Sequence, residues 1–341
     1  MAATVYDVAA KAGVSFQLVS AVLGNKKYAH ASEATRKKIF EAARELGYRS
    51  NRVASTLAGG NSKIIGVIID SRAADSHYRI LAEIENEAGK YGYRLLIAQA
   101  HDDPEKLLDS YYSLKQNGVD GIISFAHDYS HLNCHLDEVL KDDPKIVFVL
   151  NSCEGRYSAV DVDIAAGIVA ASEHLRSRGY HKTALVLCGA DTLDALPQSC
   201  RKRINGFRTG CPGGDVFLLK SNGIDIPQLE NECAQFIREK LIPGRFDSAI
   251  AVNDLLAVVL MNLLIAGGIR IPQQFGLVGC DNLPIGMCAQ VKLTTLCYDQ
   301  SKLADAVLKI LLDKIAGQTG PVRKVFPMEL VIRESTGKVR E

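Results

Sequence analysis

The chain has 341 residues, of which 47% are hydrophobic and 23% charged, so it can form two or three domains with large buried cores. The formal net charge of +1 excludes a uniformly basic or acidic protein, but the charge is unevenly distributed. Residues 1–60 carry nine basic and four acidic residues, a net charge of +5, and the rest of the chain carries −4. A small basic head on a mildly acidic body is typical of a nucleic-acid-binding module joined to a second domain.

The cysteines and the N-terminus bear on the cellular compartment. Nine scattered cysteines without CxxC spacing predict reduced core residues, not a disulfide framework or a zinc site. The N-terminus lacks a basic segment followed by an apolar stretch, and no apolar run approaches membrane-spanning length. We therefore expect a cytoplasmic protein without a metal or cofactor.

Residues 4–23 (TVYDVAAKAGVSFQLVSAVL) predict two short helices separated by a tight turn at Gly13. Thr4 and Ser15 are the predicted N-caps. The second helix should point Leu18, Val19, Val22 and Leu23 inward, and Phe16, Gln17, Ser20 and Ala21 outward. An exposed Phe16-Gln17 pair at a helix start favours a helix-turn-helix recognition helix, although a plain helical hairpin is the alternative.

A third helix is predicted over residues 33–46, capped by Ser32 and ended by Gly47, with a basic outer face. That face either contacts phosphates or is simply solvated. Residues 51–58 (NRVASTLA) then predict a helix of two turns, too short to be stable alone, so a flexible linker is equally possible.

Residues 4–59 resemble the DNA-binding head of the lactose-repressor (LacI/GalR) family of bacterial regulators. The resemblance rests on the ordered set TVYDVA, AGVS, VS, VL, TR, LGY, NRVA and LA. It implies a hinge helix over residues 51–58 whose Leu57 inserts into the minor groove of DNA. It also implies DNA contacts from Thr4, Tyr6, Ser15, Phe16, Gln17, Ser20, Asn25, Thr35, Asn51, Arg52, Ala54 and Leu57. Ala21 departs from the family, which usually has arginine there, so one DNA contact is missing.

From Lys63 onward, apolar strands alternate with amphipathic helices, which predicts parallel sheets covered on both faces. Two similar lobes are expected, with a break near residues 160–163. The order resembles the type I periplasmic-binding-protein fold, with a ligand cleft at the carboxyl ends of the strands. The predicted fold is thus an α/β core of two doubly wound parallel-sheet lobes, preceded by an all-α helix-turn-helix domain. The predicted bounds are 1–49 for the head, 50–60 for the hinge, 61–161 plus 293–323 for the first lobe, and 162–292 plus 324–341 for the second.

Polar residues that follow predicted strands, together with an arginine in an RxxGF pattern, are candidate ligand contacts. They are Ser71, Arg72, Tyr78, Asn151, Arg203, Asn253, Asp281 and Tyr298. Capping a helix is an equally ordinary role for Asn253. The loop 70–78 lacks the aromatic run usual in the family, and Cys280 replaces an aromatic residue, so the pocket is expected to be unusually polar. Arg72 could favour an anionic ligand such as a sugar acid.

The sequence argues against two alternatives to a regulator. The loop after the first strand is not glycine-rich, and no nucleophile-elbow pattern is present, which argues against an α/β enzyme. A sugar receptor would share the core but would have no use for the basic head. We therefore expect a non-enzymatic transcription regulator, a repressor, that binds near-palindromic operator DNA as a homodimer and responds to a sugar-like effector. It would be cytoplasmic and associated with the nucleoid when bound.

Overall fold

The computed structural model describes residues 3–24, 30–48, 61–70, 75–100, 104–125, 140, 143–150, 157–190, 192–194, 196–221, 223 and 225–337. The chain forms two compact units, Met1–Lys63 and Ile64–Glu341. The predicted hinge, residues 50–60, lies outside the described residues. None of the described helices is long and apolar enough to cross a membrane.

Among its described residues, the first unit contains three helices, α1 (Val5–Ala12), α2 (Phe16–Leu23) and α3 (Glu33–Glu45). Their apolar faces meet in one small core of Val8, Ala9, Val19, Ala21, Val22, Ile39, Ala42 and Ala43. Ala21 is only 7% exposed, so its predicted outward position is wrong. Val19 and Val22, on either side of Ala21 in the sequence, are also buried. The buried stripe of α2 is therefore wider than the sequence pattern indicated.

The second unit contains two six-stranded sheets with helices between the strands. The strands are β1 (Ile64–Ile69), β2 (Arg94–Gln99), β3 (Gly121–Ser124), β4 (Ile146–Val149), β5 (Ser158–Asp163), β6 (Thr183–Cys188), β7 (Asp215–Leu219), β8 (Ser248–Ala251), β9 (Gly276–Cys280), β10 (Thr294–Cys297), β11 (Arg323–Pro327) and β12 (Glu329–Val331). The helices are α4 (Asp75–Lys90), α5 (Pro104–Gln116), α6 (Ile164–Ser177), α7 (Gln198–Gly210), α8 (Ile226–Phe236), α9 (Asp254–Ala266), α10 (Pro284–Cys288) and α11 (Gln300–Ile315). A π-helical segment, Ile237–Leu241, extends α8, and a short 3₁₀ helix spans Glu334–Thr336.

The strand order defines the two lobes. The first sheet runs β11-β5-β4-β3-β1-β2, and the second runs β12-β10-β9-β8-β6-β7. All neighbouring strands are parallel except β12, which pairs antiparallel with β10. Buried, β-branched strands such as β1 are typical of sheets covered on both faces. The predicted fold class of two parallel-sheet lobes behind a helical head is confirmed.

The chain passes between the sheets three times, after β5, after β10 and after β11. The predicted return segment 293–323 is therefore wrong at both ends. Residues 294–297 pair with β9 in the second sheet, and residues 323–327 pair with β5 in the first. Strands of four or five residues fit either sheet by pattern, and only their hydrogen-bonded partners decide between them. The other predicted domain bounds stay predictions.

Candidate functional site

The helix-turn-helix of the head is built on side-chain caps. The hydroxyl of Thr4 accepts a hydrogen bond from the Asp7 N–H (3.3 Å), and the Asp7 carboxylate accepts from the Thr4 N–H and hydroxyl (both 2.7 Å). These hydrogen bonds from Thr4 lower the pKa of Asp7. Ser15 caps α2 by accepting from the Leu18 N–H (3.3 Å), after a turn in which Gly13 has a φ of 65°. Thr4 and Ser15 therefore act as caps in the free head, and their DNA contacts stay predictions.

An exposed aromatic and polar face lies at the start of α2. Tyr6 is 62% exposed and Phe16 40% exposed, and their ring centroids are 5.0 Å apart. Gln17 and Ser20 are exposed on the same helix. Because side chains at the N-terminal turns of a recognition helix reach base edges in the major groove, this face is suited to reading DNA. Mutual packing holds the rings of Tyr6 and Phe16 together on this face.

The third helix supports this face and adds positive charge. Ser32 caps α3 by accepting from the Thr35 N–H (3.2 Å), and the two hydroxyls lie 2.8 Å apart. Thr35, a predicted DNA contact, is therefore part of a helix cap. An exposed ion pair between Lys11 and Glu45 (2.7 Å) joins α1 to α3. Lys38 is exposed and free to approach a phosphate.

Several predicted contacts lie outside the described residues. For DNA binding these are Asn25, Asn51, Arg52, Ala54 and Leu57, and for ligand binding they are Ser71, Arg72 and Asn151. All of them stay predictions.

Elements of both lobes carry buried polar atoms without hydrogen-bond partners. In the described part of the chain, three buried side-chain atoms lack a hydrogen-bond partner: His77 Nδ1, Arg203 Nε and the Tyr298 hydroxyl. His77 lies on α4 of the first lobe, Arg203 on α7 of the second, and Tyr298 directly follows β10 at a crossing between lobes. A buried polar group without a partner costs about 1–3 kcal/mol, so a ligand or water that reaches these atoms gains that free energy.

The pKa values of these side chains depend on the charges of Arg203 and Asp281. The pKa of His77 is lowered to about 4 by burial and then by the charge of Arg203, against the opposing effect of Asp70. Burial, and then the carboxylate of Asp281, raise the pKa of Tyr298 well above its usual range. Burial also raises the pKa of Asp281, while nearby Arg203 lowers it. The site therefore combines a cation, a carboxylate, a phenol and a neutral imidazole.

The guanidinium of Arg203, a half-buried residue, has a weak protein acceptor. Its Nη2 donates a long hydrogen bond to the sulfur of Cys280 (3.9 Å). Cys280 is 2% exposed, and its thiol also donates to Asp281 (3.7 Å). The carboxylate of Asp281 lies near the Arg203 guanidinium, but these two described groups do not form an ion pair within 4.0 Å. Arg203 therefore keeps donor capacity for a bound molecule.

A strained turn holds Asp281 in place. Asp281 and Asn282 have positive φ values of 96° and 52°, which non-glycine residues adopt only when their surroundings impose it. The buried carboxylate of Asp254 accepts from the Leu283 N–H and from the Thr295 hydroxyl, both at 2.6 Å. Burial raises the pKa of Asp254 to about 7, against these two hydrogen bonds.

The same turn is held from two further directions. Arg333 donates to the Asn282 side-chain oxygen (2.5 Å), and Arg79 of the first lobe donates to the Asn282 carbonyl (3.2 Å). The strained conformation is therefore held by contacts from both lobes.

The structure places two other predicted ligand contacts differently. Asn253 uses its side-chain oxygen to cap α9, accepting from the Leu256 N–H (2.9 Å). Tyr78 donates to the Asp70 carbonyl (3.1 Å) and lines an outer groove that Arg203, Asp281 and Tyr298 do not line. Their ligand contacts stay predictions.

His77 is not among the ligand contacts predicted from the sequence, since the pattern indicates a loop over residues 70–78. Helix α4 begins at Asp75, so His77 lies in its first turn and packs against Phe125 with ring centroids 5.6 Å apart. The only signal for the earlier start was Asp75 itself, an acidic residue suited to a helix N-terminus.

His77 should make stability depend on pH. Its pKa falls from an ordinary 6.5 to about 4 on folding, so the unfolded chain takes up a proton that the folded chain resists. The free energy of unfolding therefore decreases as the pH falls from 6.5 toward 4, by at most about 3 kcal/mol. Replacing His77 with Phe should flatten this dependence in urea unfolding at pH 7 and 4.5. The exposed-site variant His181→Gln is the control, and an unchanged acid-side loss in His77→Phe would refute the assignment.

Comparisons with known proteins find similarity over both the head and the core. The model of bacterial regulatory proteins of the lacI family matches residues 4–51, and that of the periplasmic binding protein-like domain matches residues 172–336. The HTH-type transcriptional repressor PurR of Vibrio vulnificus is 26% identical over 99% of both chains. The sucrose operon repressor of Streptococcus mutans is 28% identical, covering 98% of this chain and 100% of that one. The lac repressor dimer bound to operator and the anti-inducer ONPF superposes with a TM-score of 0.83 at 26% identity, covering 98% of this chain and 99% of that one.

A helix-turn-helix head followed by a two-lobed binding core defines a class of DNA-binding transcription regulators. The chain is similar to the lacI family of bacterial regulatory proteins over its head, as the sequence resemblance predicted, and to periplasmic binding protein-like domains over residues 172–336.

Proposed function

We propose that this protein is a repressor that binds a near-palindromic operator as a homodimer and changes its operator affinity when a neutral, sugar-like molecule occupies the interlobe cleft. The observation that carries the effector is the set of partnerless buried atoms on His77, Arg203 and Tyr298. The repressor role is supported by the names of the two curated relatives. We further propose that it acts in the bacterial cytoplasm, on the nucleoid when bound.

The composition of the cleft favours a polyol. Arg203 can donate two parallel hydrogen bonds, Asp281 can accept from hydroxyl groups, and Tyr298 can do either. Because Asp281 already places a carboxylate beside Arg203, an acidic ligand would meet a negative charge. Neutral sugars therefore suit this site better than the sugar acids suggested by Arg72.

Effector control requires that the cleft and the DNA-binding head be coupled. If the ligand changes operator affinity by some factor, the operator must change ligand affinity by the same factor. No catalytic step is needed for this function. The partners are therefore operator DNA, a small effector and a second copy of the chain.

The ligand site is tested by thermal-shift screening of the full chain against neutral sugars, sugar acids and nucleobases, followed by Arg203→Gln. A molecule that binds only the folded state raises the melting temperature. We expect neutral-sugar hits whose shift disappears in Arg203→Gln but persists in Arg208→Gln, an exposed position on the same helix. The absence of any hit, or hits unaffected by Arg203→Gln, would contradict the proposed site.

The proposed dimer uses an apolar edge of the first lobe. Strand β2 is an edge strand of its sheet, with Leu96 36% and Ile97 49% exposed. Beside it, α4 and β2 line a groove of about 810 Å³ that includes Tyr78, Leu81, Leu95 and Ile97. An exposed apolar edge strand is a site for pairing with another chain, and symmetric pairing would present two heads to two half-sites.

Replacing Ile97 with Lys is expected to weaken dimerisation at least about tenfold, because a charge would be buried in place of an apolar side chain. Sedimentation equilibrium measures the dimer dissociation constant. Val325→Lys is the matched control, since Val325 is 51% exposed on β11, the opposite edge of the same sheet. An Ile97→Lys protein that dimerises like the control would remove this face from consideration.

A further inference from the structure

An ion pair between a buried carboxylate and a partly exposed lysine connects helix α7 of the second lobe to the first lobe. Asp161, on β5, is 2% exposed, and its Oδ2 accepts from Lys202 Nζ at 2.6 Å. Lys202 lies on α7, directly before Arg203. The pair therefore joins the first sheet to a helix of the second lobe.

Asp161 has a second cationic partner within its own lobe. Arg323 Nη2 lies 3.2 Å from the same Oδ2, and Arg323 belongs to β11, the strand next to β5. The other carboxylate oxygen accepts from the Val162 N–H (2.8 Å). One carboxylate thus receives one cation from each lobe, and a buried carboxylate left without its cations would be strongly destabilising.

The Lys202–Asp161 ion pair lies at the hinge between the lobes. The chain leaves the first sheet two residues after Asp161, where α6 begins, and it crosses again directly after β11. Asp161 and Arg323 therefore lie on two of the three crossing strands. A change in the angle between the lobes must change the distance between Lys202 and this hinge.

Helix geometry lets α7 contact the hinge and the cleft at once. Consecutive residues of an α-helix point about 100° apart, so Lys202 and Arg203 face different surroundings. Lys202 reaches the hinge strand, while Arg203 reaches Cys280 in the cleft. A ligand that moves Arg203 moves the anchor of Lys202 as part of the same rigid helix.

From this arrangement we propose that Lys202 is a positioning residue: its ion pair with Asp161 ties α7 to the hinge and sets the angle between the lobes at which Arg203 faces the cleft. The geometry of this ion pair does not depend on the proposed ligand role of Arg203. Only its consequence for ligand binding rests on that proposed function. Arg323, the cation from the same lobe as Asp161, stabilises the carboxylate without setting the interlobe angle.

The test is an interlobe distance measured by pulsed electron paramagnetic resonance on the full chain, without DNA or added sugar. Spin-labelled noncanonical residues replace Asp109 on α5 and Glu230 on α8, both exposed and one in each lobe. Labelled chain is diluted with unlabelled chain so that distances within one protomer dominate. The variants are K202M, K202R, D161N, R323M and the double variant D161N/K202M.

We expect K202M and D161N to shift or broaden the distance distribution to the same extent, and the double variant to add nothing further. K202R should retain the wild-type distribution, because it keeps the cation. R323M should lower thermal stability while leaving the distance unchanged. Should K202M fail to fold, K202Q carries the same expectation.

Two results would overturn the proposal: a wild-type distribution in K202M (or K202Q), or an equal shift in R323M. Since no ligand or operator enters the measurement, it can fail while the sugar response is confirmed by thermal shift. It can equally succeed when no sugar binds. The two failures are therefore distinguishable.

Discussion

The variant Gly206→Ala is expected to lower the free energy of unfolding of the core by about 1–3 kcal/mol and to remove the response to any cleft ligand. Gly206 lies on α7, three residues after Arg203. A Cβ at this position would be 2.4 Å from the carbonyl oxygen of Ala165 and 2.9 Å from its Cα. Both are backbone atoms of α6, so the two helices must separate, and Arg203 must move with α7.

Urea unfolding measures this effect, since a midpoint shift at constant slope reports stability. Gly89→Ala is the matched control: Gly89 also lies in a helix, and a Cβ there would meet nothing within 4 Å. It should be neutral or stabilise the protein by about 0.5–1 kcal/mol, because alanine loses less backbone entropy than glycine. Equal midpoints for the two variants would show that the α6–α7 contact tolerates a wider spacing.

The second large effect is expected at Gln17. If its amide reads a base edge from the exposed face of α2, Gln17→Ala should weaken binding to the cognate operator by about 1–3 kcal/mol, roughly tenfold or more. Binding to unrelated duplex DNA should hardly change, because phosphate contacts carry no sequence information. Fluorescence anisotropy with both duplexes measures the two affinities.

Lys38→Gln provides the contrasting control on the head. Loss of one phosphate contact should weaken binding to both duplexes alike and reduce the salt dependence of affinity by about one unit of slope. If Gln17→Ala instead weakens binding to both duplexes equally, Gln17 contacts the DNA backbone and does not read the base sequence.

Much of the fold was predictable because it depends on local patterns. Strand β1 is an example, since a run of β-branched residues between polar flanks specifies a buried strand. The caps Thr4, Ser15 and Ser32 were likewise predictable, because an N-cap interaction spans only three residues.

The errors arose where a residue's environment depends on distant parts of the chain. Ala21 fits either face of α2 by size, and only packing against α1 and α3 buries it. Strand β10 is too short for its pattern to indicate which sheet it joins. The cleft required tertiary structure as well: Arg203 was predicted from its RxxGF pattern, but nothing local shows that a thiol and a partnerless imidazole surround it.

The central claim is that the head binds a symmetric operator and that the cleft controls this binding. The most direct measurement selects duplexes from a random pool with the full chain and compares dissociation constants for the selected and scrambled sequences at moderate salt, with and without a thermal-shift hit. We predict that the protein prefers a near-palindromic duplex and that the hit changes its affinity for that duplex. The operator should change the affinity for the sugar by the same factor. Equal affinity for all duplexes, with or without the small molecule, would contradict the account.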